Sequence, residues 1–203
     1  MKILSLFSGT GSIEKETRED DEVTSVDISD SLYPPSVCVD ILKWDYKNAG
    51  FAAGHFDAIF AGVPCTEYSR LRDCCKKTKP PDIAKANEIV LRTLEIIEYF
   101  KPKFWFIENP DGGKLKEQEF MKDLPYHRVS YCMYGYDYRK TTRFWTNNTH
   151  FKPKLCVRGS CGKVLNGRHQ ATIGQRKFLP LSQKYSYPPE LVRDLLQSCR
   201  DNI

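Results

Sequence analysis

Short apolar runs separated by polar turns are the main pattern in the first half of the chain. Each run spans five or six residues and is followed by a glycine turn or ends at an acidic residue, which is typical of buried β-strands. The predicted strands are 3–7, 23–27, 36–40, 56–61 and 103–107. Two further runs, 126–133 and 143–146, are also rich in β-forming residues and complete the predicted sheet.

Helical patterns lie between several of these strands. Between 82 and 100 the apolar residues recur at steps of three and four, as on one face of a helix, and Pro102 ends the pattern. A shorter helix is predicted over 12–19, and a last one over 190–199, where Pro189 suits the first turn. Strands alternating with helices predict an α/β fold with a mainly parallel sheet and helices on both faces. Such sheets bind ligands at the carboxyl ends of their strands.

The pattern divides the chain into three parts. Residues 1–150 form the main α/β unit, whereas 151–178 lose the periodicity and become rich in Lys, Arg, Gly, Cys and His. We therefore predict a small irregular insert over 151–178. Residues 179–203 are predicted to return to the main unit through the final helix.

Composition narrows the class of protein. Charged residues make up 28% of the 203 residues and no apolar stretch approaches eighteen positions, which predicts a soluble chain without a membrane span. The net charge of +5 suits a polyanionic partner. The N-terminal apolar run is too short for a signal peptide, so the eight cysteines are expected in a reducing, intracellular compartment, either cytoplasm or nucleus.

A glycine turn follows the first predicted strand. Glycines let the backbone approach a ligand closely, although an ordinary strand-to-helix turn would look the same. Asp27, at the end of the second strand, could accept hydrogen bonds from both ribose hydroxyls, and Asp40 with Ile41 could reach an adenine amino group. The predicted adenosine-cofactor residues are Phe7, Ser8, Gly9, Thr10, Gly11, Asp27, Ile28, Asp40, Ile41 and Pro64.

Two motifs at strand ends carry the resemblance to a known family. Pro64-Cys65 follows the fourth predicted strand and Glu108-Asn109 follows the fifth. In these motifs the chain resembles the cytosine carbon-5 DNA methyltransferases, and in its departures from them it is most similar to the short phage and large-virus members. The resemblance implies a class I, Rossmann-like methyltransferase fold over residues 1–150. It also implies S-adenosylmethionine as cofactor and S-adenosylhomocysteine as product.

The resemblance also implies a mechanism. Cys65 would add to carbon-6 of a flipped cytosine, and Glu108 would donate to ring nitrogen 3 with a pKa raised by burial beside Trp105 and Phe106. Arg143 would hold the carbonyl oxygen of the base. The family usually carries Gln-x-Arg-x-Arg in this segment and Glu-Asn-Val at the acid, whereas this chain lacks the glutamine and has Pro110.

The resemblance implies double-stranded DNA as the partner, a loop that closes over the base and a target-recognition region, and basic residues outside the two motifs are the candidates for contact with DNA. The segment 66–81 would close over the flipped base, although a solvated basic loop is the alternative. The insert would be the target-recognition region and would read about two to four bases. The predicted DNA-binding residues are Ser69, Arg70, Arg72, Arg139, Arg158 and Arg168, with Lys76, Lys77, Lys79, Lys163, Asn166, His169 and Gln170 as further candidates.

Cys156, Cys161 and His169 in the insert raise the question of a metal. A zinc ion could staple a segment with little apolar material, with Cys132 or His150 as the fourth ligand. The spacing is not that of a standard zinc finger, so free thiols are favoured and no metal is predicted.

Two other functions stay open at the level of sequence. A tRNA cytosine-5 methyltransferase would share the same Pro-Cys and Glu-Asn motifs. A catalytically inactive homologue that binds DNA or regulates a partner would be consistent with the short insert and the altered arginine motif.

Overall fold

A computed structural model describes residues 1–70, 72, 80–157, 159–166, 168–169 and 179–203. Its main sheet has seven strands in the order β3-β2-β1-β4-β5-β7-β6. Strand β7 runs in the direction opposite to the other six, so it pairs antiparallel with both β5 and β6. The strands are β1 (Lys2–Leu6), β2 (Glu22–Asp27), β3 (Val37–Cys38), β4 (Ala58–Gly62), β5 (Phe104–Pro110), β6 (Tyr126–Ser130) and β7 (Thr141–Thr146). The predicted mainly parallel sheet is confirmed.

Two long helices cover opposite faces of this sheet. The helices are α1 (Ile83–Phe100), α2 (Glu119–Lys122), α3 (Leu181–Tyr185) and α4 (Pro189–Arg200). One core cluster joins α1 to the side chains of Ile59 and Ile107, whereas the other joins α4 to Phe60 and Phe106. Successive strand residues point to opposite faces, so the predicted arrangement with helices on both faces is confirmed.

Local chemistry explains where the longest helix begins and ends. The side chain of Asp82 accepts a hydrogen bond from the backbone N–H of Lys85 at 2.9 Å and so caps the first turn of α1. Lys101 then adopts a left-handed conformation with φ of 48°, and its N–H bonds back to the carbonyl of Ile97. Pro102 follows, so the helix ends where the sequence predicts.

The parallel strands bring their following loops to one edge of the sheet. In the register of the sheet, Leu6 lies beside both Val26 and Ala61, and Gly62 lies beside Glu108. The chain segments that leave these strands therefore start within a few strand spacings of one another. This edge is where the candidate site is found.

Three predicted elements differ from the structure. The helix over 12–19 is reduced to a 3-10 turn at Glu14–Glu16, because Thr17 adopts an extended conformation and ends it. The few residues before Thr17 are too few to offset the cost of helix nucleation. The strand over 36–40 is reduced to β3, an edge strand that pairs only with the last two residues of β2. The run 126–133 leaves the sheet after Ser130 and forms a 3-10 turn at Tyr131–Tyr134.

The insert contains one small hairpin, formed by β8 (Val164–Leu165) and β9 (Arg168–His169). Among the described residues from Lys152 to His169, no side chain is buried. The insert therefore has no hydrophobic core of its own in the part that the structure describes. No described helix has both the length and the hydropathy needed to cross a membrane.

Candidate active site

A cavity of about 280 Å³ lies at the carboxyl edge of the sheet, where the sequence analysis places the ligand. It is lined by most of the predicted cofactor residues and by both motif side chains. These predicted lining residues are Phe7, Ser8, Gly9, Thr10, Asp27, Ile28, Pro64, Cys65 and Glu108. Tertiary structure thus brings together residues that lie up to a hundred positions apart in sequence.

The glycine turn is held against the end of β2. The carboxylate of Asp27 accepts a hydrogen bond from the N–H of Gly9 at 2.8 Å, and the N–H of Phe7 donates to the carbonyl of Val26 at 2.8 Å. Gly11 has a φ of +66°, and a Cβ there would lie 2.4 Å from the ring of Tyr33. The turn is therefore fixed in a shape that only glycine allows at this position.

The wall of the cavity next to this turn suits an adenosine-containing ligand. The hydroxyl of Ser8 is buried and has no hydrogen-bond partner within the described structure. Ile28 and Leu32 line the cavity while remaining 70% and 45% exposed, so an apolar surface is open to a flat ring. A carboxylate, an unpaired hydroxyl and an exposed apolar surface together fit the ribose and purine of S-adenosylmethionine.

Three predicted cofactor residues do not line the cavity, namely Gly11, which lies against the Tyr33 ring, and Asp40 and Ile41. Ile41 is 6% exposed and packs in the core cluster beneath α1. The carboxylate of Asp40 accepts the N–H of Leu42 at 3.0 Å, which starts a turn of the chain. Because β3 ends at Cys38, Asp40 and Ile41 lie past the end of the strand in a segment that folds back onto the core.

Cys65 lies at the cavity in the loop that follows β4. The loop is anchored by the neighbouring motif, because the side-chain amide of Asn109 donates to the carbonyl of Val63 at 3.1 Å. Asn109 is fully buried, so this hydrogen bond is shielded from water. The Glu-Asn motif therefore positions the Pro-Cys loop as well as supplying a carboxyl group.

Glu108 is 8% exposed and lines the same cavity. The hydroxyl of Tyr187 donates to one carboxylate oxygen of Glu108 at 3.4 Å, and the other oxygen has no partner in the described structure. Burial raises the pKa of Glu108, as the sequence analysis expects, whereas Lys140 and the Tyr187 hydroxyl lower it. Gly62 is required here, because a Cβ would lie 2.6 Å from the Tyr187 hydroxyl oxygen.

The thiol of Cys65 is electrostatically linked to the same groups. Burial raises the pKa of Cys65, the negative charge of Glu108 raises it further, and Lys140 lowers it. Protonation of Glu108 would remove the repulsion that opposes the thiolate. The protonated acid and the thiolate are therefore mutually compatible at this site.

Lys140 and Tyr187 line the cavity but were missed by the sequence analysis. Lys140 belongs to the basic run 139–143, and its neighbour Arg139 was chosen instead. Tyr187 comes two residues before α4, in the segment 179–203 that the sequence predicts to return to the main unit. Only the fold shows that Tyr187 contacts Glu108 and that Lys140 lines the same cavity.

Arg143, the predicted partner of the base, is not brought to the cavity. In the register of the sheet, Phe144 lies beside Glu108, so Arg143 points to the opposite face. Its guanidinium bonds to the carboxylate of Asp111 at 3.0 Å and lies 3.8 Å from the centre of the Tyr126 ring. Lys140, three residues earlier, is the cation that lines the cavity.

Several predicted DNA-binding residues already have partners within the chain. Arg70 pairs with Glu117 and donates to the carbonyl of Gly112 at 3.1 Å, yet remains 57% exposed. Arg72 pairs with Glu67 at 2.9 Å and is 18% exposed. Ser69 is half-buried, whereas Arg139 and Arg168 are exposed. The predicted residues Arg158, Lys76, Lys77, Lys79 and Gln170 lie outside the described residues.

The sequence matches a known family and a viral relative. The family model of the C-5 cytosine-specific DNA methylases matches residues 1–125. A Frog virus 3 (isolate Goorha) protein described as "Probable DNA (cytosine-5)-methyltransferase" is 35% identical over 221 aligned positions, which cover 98% of this chain and all of that protein.

Solved structures share the fold. The Entamoeba histolytica methyltransferase EhMeth aligns with a TM-score of 0.58 and 13% identity over 100% of this chain and 98% of its own. A prophage-encoded DNA modification methyltransferase from E. coli aligns with a TM-score of 0.55 and 15% identity over 82% of this chain. This chain spans 56% of the length of that prophage protein.

Proposed function

The chain belongs to the C-5 cytosine-specific DNA methylases, and from this premise we propose that it methylates carbon-5 of a flipped cytosine in double-stranded DNA through a covalent adduct with Cys65. The observation that carries the proposal is the single cavity that Cys65 and Glu108 share with the glycine turn. When bound, S-adenosylmethionine supplies the methyl group and leaves as S-adenosylhomocysteine. The side chains around the cavity perform the remaining steps.

The cofactor would be held by the wall that begins at the glycine turn. Asp27 offers a carboxylate for the ribose hydroxyls, and the buried hydroxyl of Ser8 can donate or accept one hydrogen bond. Ile28 and Leu32 offer apolar contact to the purine. These residues would orient the cofactor toward Cys65 and Glu108 at the other wall of the same cavity.

Cys65 would supply the nucleophile. Its thiolate forms a bond to carbon-6 of the cytosine, and the electron pair of the 5,6 double bond moves toward carbon-5 and ring nitrogen 3. After carbon-5 has gained the methyl group, it loses its proton to a base. The bond from carbon-6 to sulfur then breaks, so the double bond reforms and the thiolate is regenerated.

Glu108 would donate a proton to ring nitrogen 3 as the thiolate attacks, and would take it back when the thiolate is eliminated. The raised pKa supports this role, because a carboxyl group that retains its proton near neutral pH can act as a general acid. Lys140 would offset the negative charge on the thiolate, since its ammonium already lowers the pKa of Cys65. This role of Lys140 differs from the one predicted for Arg143, which was to hold the carbonyl oxygen of the base.

A covalent trapping experiment tests this function. In duplex DNA that contains 5-fluorocytosine, carbon-5 carries fluorine in place of the hydrogen that leaves as a proton, so the thiolate cannot be eliminated after methyl transfer. The adduct with Cys65 should therefore accumulate and migrate slowly on a denaturing gel. Cys65→Ser should form no adduct, whereas Cys38→Ser, a matched change at an exposed cysteine, should form as much as the unchanged protein.

The substrate is tested by two parallel reactions with labelled cofactor. Methyl transfer to duplex DNA, with little or none to tRNA, is the expected result. Transfer to tRNA alone would show that the substrate is tRNA and not DNA, although the proposed reaction at cytosine would stay the same. No adduct and no transfer to either nucleic acid would contradict the catalytic function and favour a non-catalytic homologue.

A further inference from the structure

Four potential metal ligands converge at the boundary between the insert and the catalytic sheet. Cys132 lies in the 3-10 turn after β6, Cys156 and Cys161 lie in the insert, and His169 ends β9. Their ligand atoms all lie within 4.8 Å of one another. We propose that these four side chains bind one structural zinc ion.

The distances within the cluster match those of a tetrahedral zinc site. Nε2 of His169 lies 3.5 Å from Sγ of Cys132, 3.4 Å from Sγ of Cys156 and 3.3 Å from Sγ of Cys161. Zinc bonds of ~2.3 Å to sulfur and ~2.0 Å to nitrogen, at tetrahedral angles, place sulfur and nitrogen ligands ~3.6 Å apart. A zinc ion therefore fits among the four atoms with only small movements.

Hydrogen bonding alone does not account for this arrangement. A ring nitrogen of histidine carries either one proton or one lone pair, so it can make one good hydrogen bond. Here three sulfur atoms surround the same nitrogen. Three thiolates and one neutral imidazole around a divalent cation satisfy all four groups at once, and three cysteines with one histidine are a common structural zinc set.

The surrounding backbone supports the cysteine ligands. The N–H of Lys163 points to Sγ of Cys161 at 3.4 Å, which is the kind of contact that stabilises a metal-bound thiolate. Between Cys156 and Cys161 the N–H of Ser160 donates to the carbonyl of Val157 at 3.1 Å, and Gly159 has a φ of +83°. A Cβ at Gly159 would lie 2.8 Å from the Val164 side chain, so the turn and the hairpin are packed closely.

The physical need for a metal follows from the lack of a core in the insert. No described side chain from Lys152 to His169 is buried, and Val157 and Leu165 are 59% and 63% exposed. A segment with so little apolar burial needs another source of stability. One ion would join this segment to Cys132, which is buried in the catalytic domain. Arg168, a predicted DNA contact, would then be held beside a fixed His169.

Metal analysis of the purified full chain tests the site. Protein is prepared without a metal-binding tag or chelator, and its metal content is measured by inductively coupled plasma mass spectrometry. About one zinc per chain is expected, because four protein ligands complete a structural zinc site. Cys161→Ser and His169→Ala should lose most of the zinc. Cys38→Ser should keep it, because Cys38 lies at the edge of the sheet and outside the cluster.

A second measurement needs no substitution. The metal-free chain titrated with Co²⁺ should give the intense visible absorption of tetrahedral coordination together with a thiolate charge-transfer band, saturating at one equivalent. The cobalt spectrum remains informative even if Cys161→Ser does not fold. Removal of the metal should also speed proteolytic cleavage within residues 155–169.

Three results would overturn the proposal. The first is a chain without zinc that also takes up none. The second is an equal zinc content in the unchanged protein and in folded Cys161→Ser, with helix content checked by circular dichroism. The third is a mass of the denatured, metal-free chain that is lower by two hydrogen atoms after purification without a reductant, which would show a disulfide in place of the metal-bound thiolates.

Discussion

The catalytic edge of the sheet and the insert differ in how they fix their side chains. At the catalytic edge, Cys65 follows β4 and Glu108 lies within β5, two strands that are mostly buried, and Asn109 links β5 to the loop that carries Cys65. In the insert, no described side chain from Lys152 to His169 is buried, and ligand groups converge at one point instead. A hydrophobic core can hold a carboxyl group away from water and raise its pKa, whereas a short polar segment needs cross-links to hold any shape.

The largest effect is expected at the nucleophile. Cys65→Ala removes the thiol that we propose as the nucleophile, so methyl transfer should fall below detection while the free energy of unfolding changes little. Methylation assays and thermal unfolding of the same preparation measure the two quantities. Near-normal turnover by this variant would exclude the covalent mechanism.

The next effect contrasts the two regions directly. Leu195, fully buried in α4, packs in the core beneath the sheet, so Leu195→Ala should lower the free energy of unfolding by about 2–5 kcal/mol. Leu165→Ala, at a 63% exposed position in the insert, should change it by about 0.5 kcal/mol or less. Urea unfolding of both variants is the measurement, and equal losses would show that the insert has an apolar core after all.

Glu108→Gln should slow methyl transfer by roughly a hundredfold, a typical contribution of a general acid. The pH profile separates catalysis from structure. Glu108 needs its proton, which is lost as pH rises through its raised pKa, so the unchanged enzyme should lose activity on the alkaline side. Glutamine cannot lose a proton in this range, so the variant should lack that alkaline limb. If both proteins lose activity at the same alkaline pH, the group that titrates there is not Glu108.

The smallest effect is expected at Tyr187. Its hydroxyl donates to Glu108 and lowers the pKa of that carboxyl group. Tyr187→Phe should therefore raise the pKa of Glu108, so the alkaline limb should move to higher pH with only a few-fold change in the maximum rate. If the pH profile does not move, the Tyr187 hydroxyl contributes to packing against Gly62 and does not affect the pKa of Glu108.

The candidate catalytic pair and most of the predicted residues that line the cavity could be identified from the sequence. Pro64-Cys65 and Glu108-Asn109 each follow a strand that periodicity identifies, and parallel strands bring such loops to one edge. The contribution of Lys140 could not be predicted in this way. In a strand, moving by one residue transfers a side chain to the other face, and sequence alone does not fix that register for the run 139–143.

Local patterns of apolar and polar residues were enough to predict the fold class, the succession of strands and helices along the chain, and the two motifs. Long-range packing was needed to see that Arg143 pairs with Asp111, that Tyr187 contacts Glu108, and that Cys132 joins the cluster in the insert. Cys132 lies 24 positions before Cys156 and on another element, so its spacing matches no standard metal motif. Contacts of this kind arise from how separate elements pack, and local sequence carries no record of them.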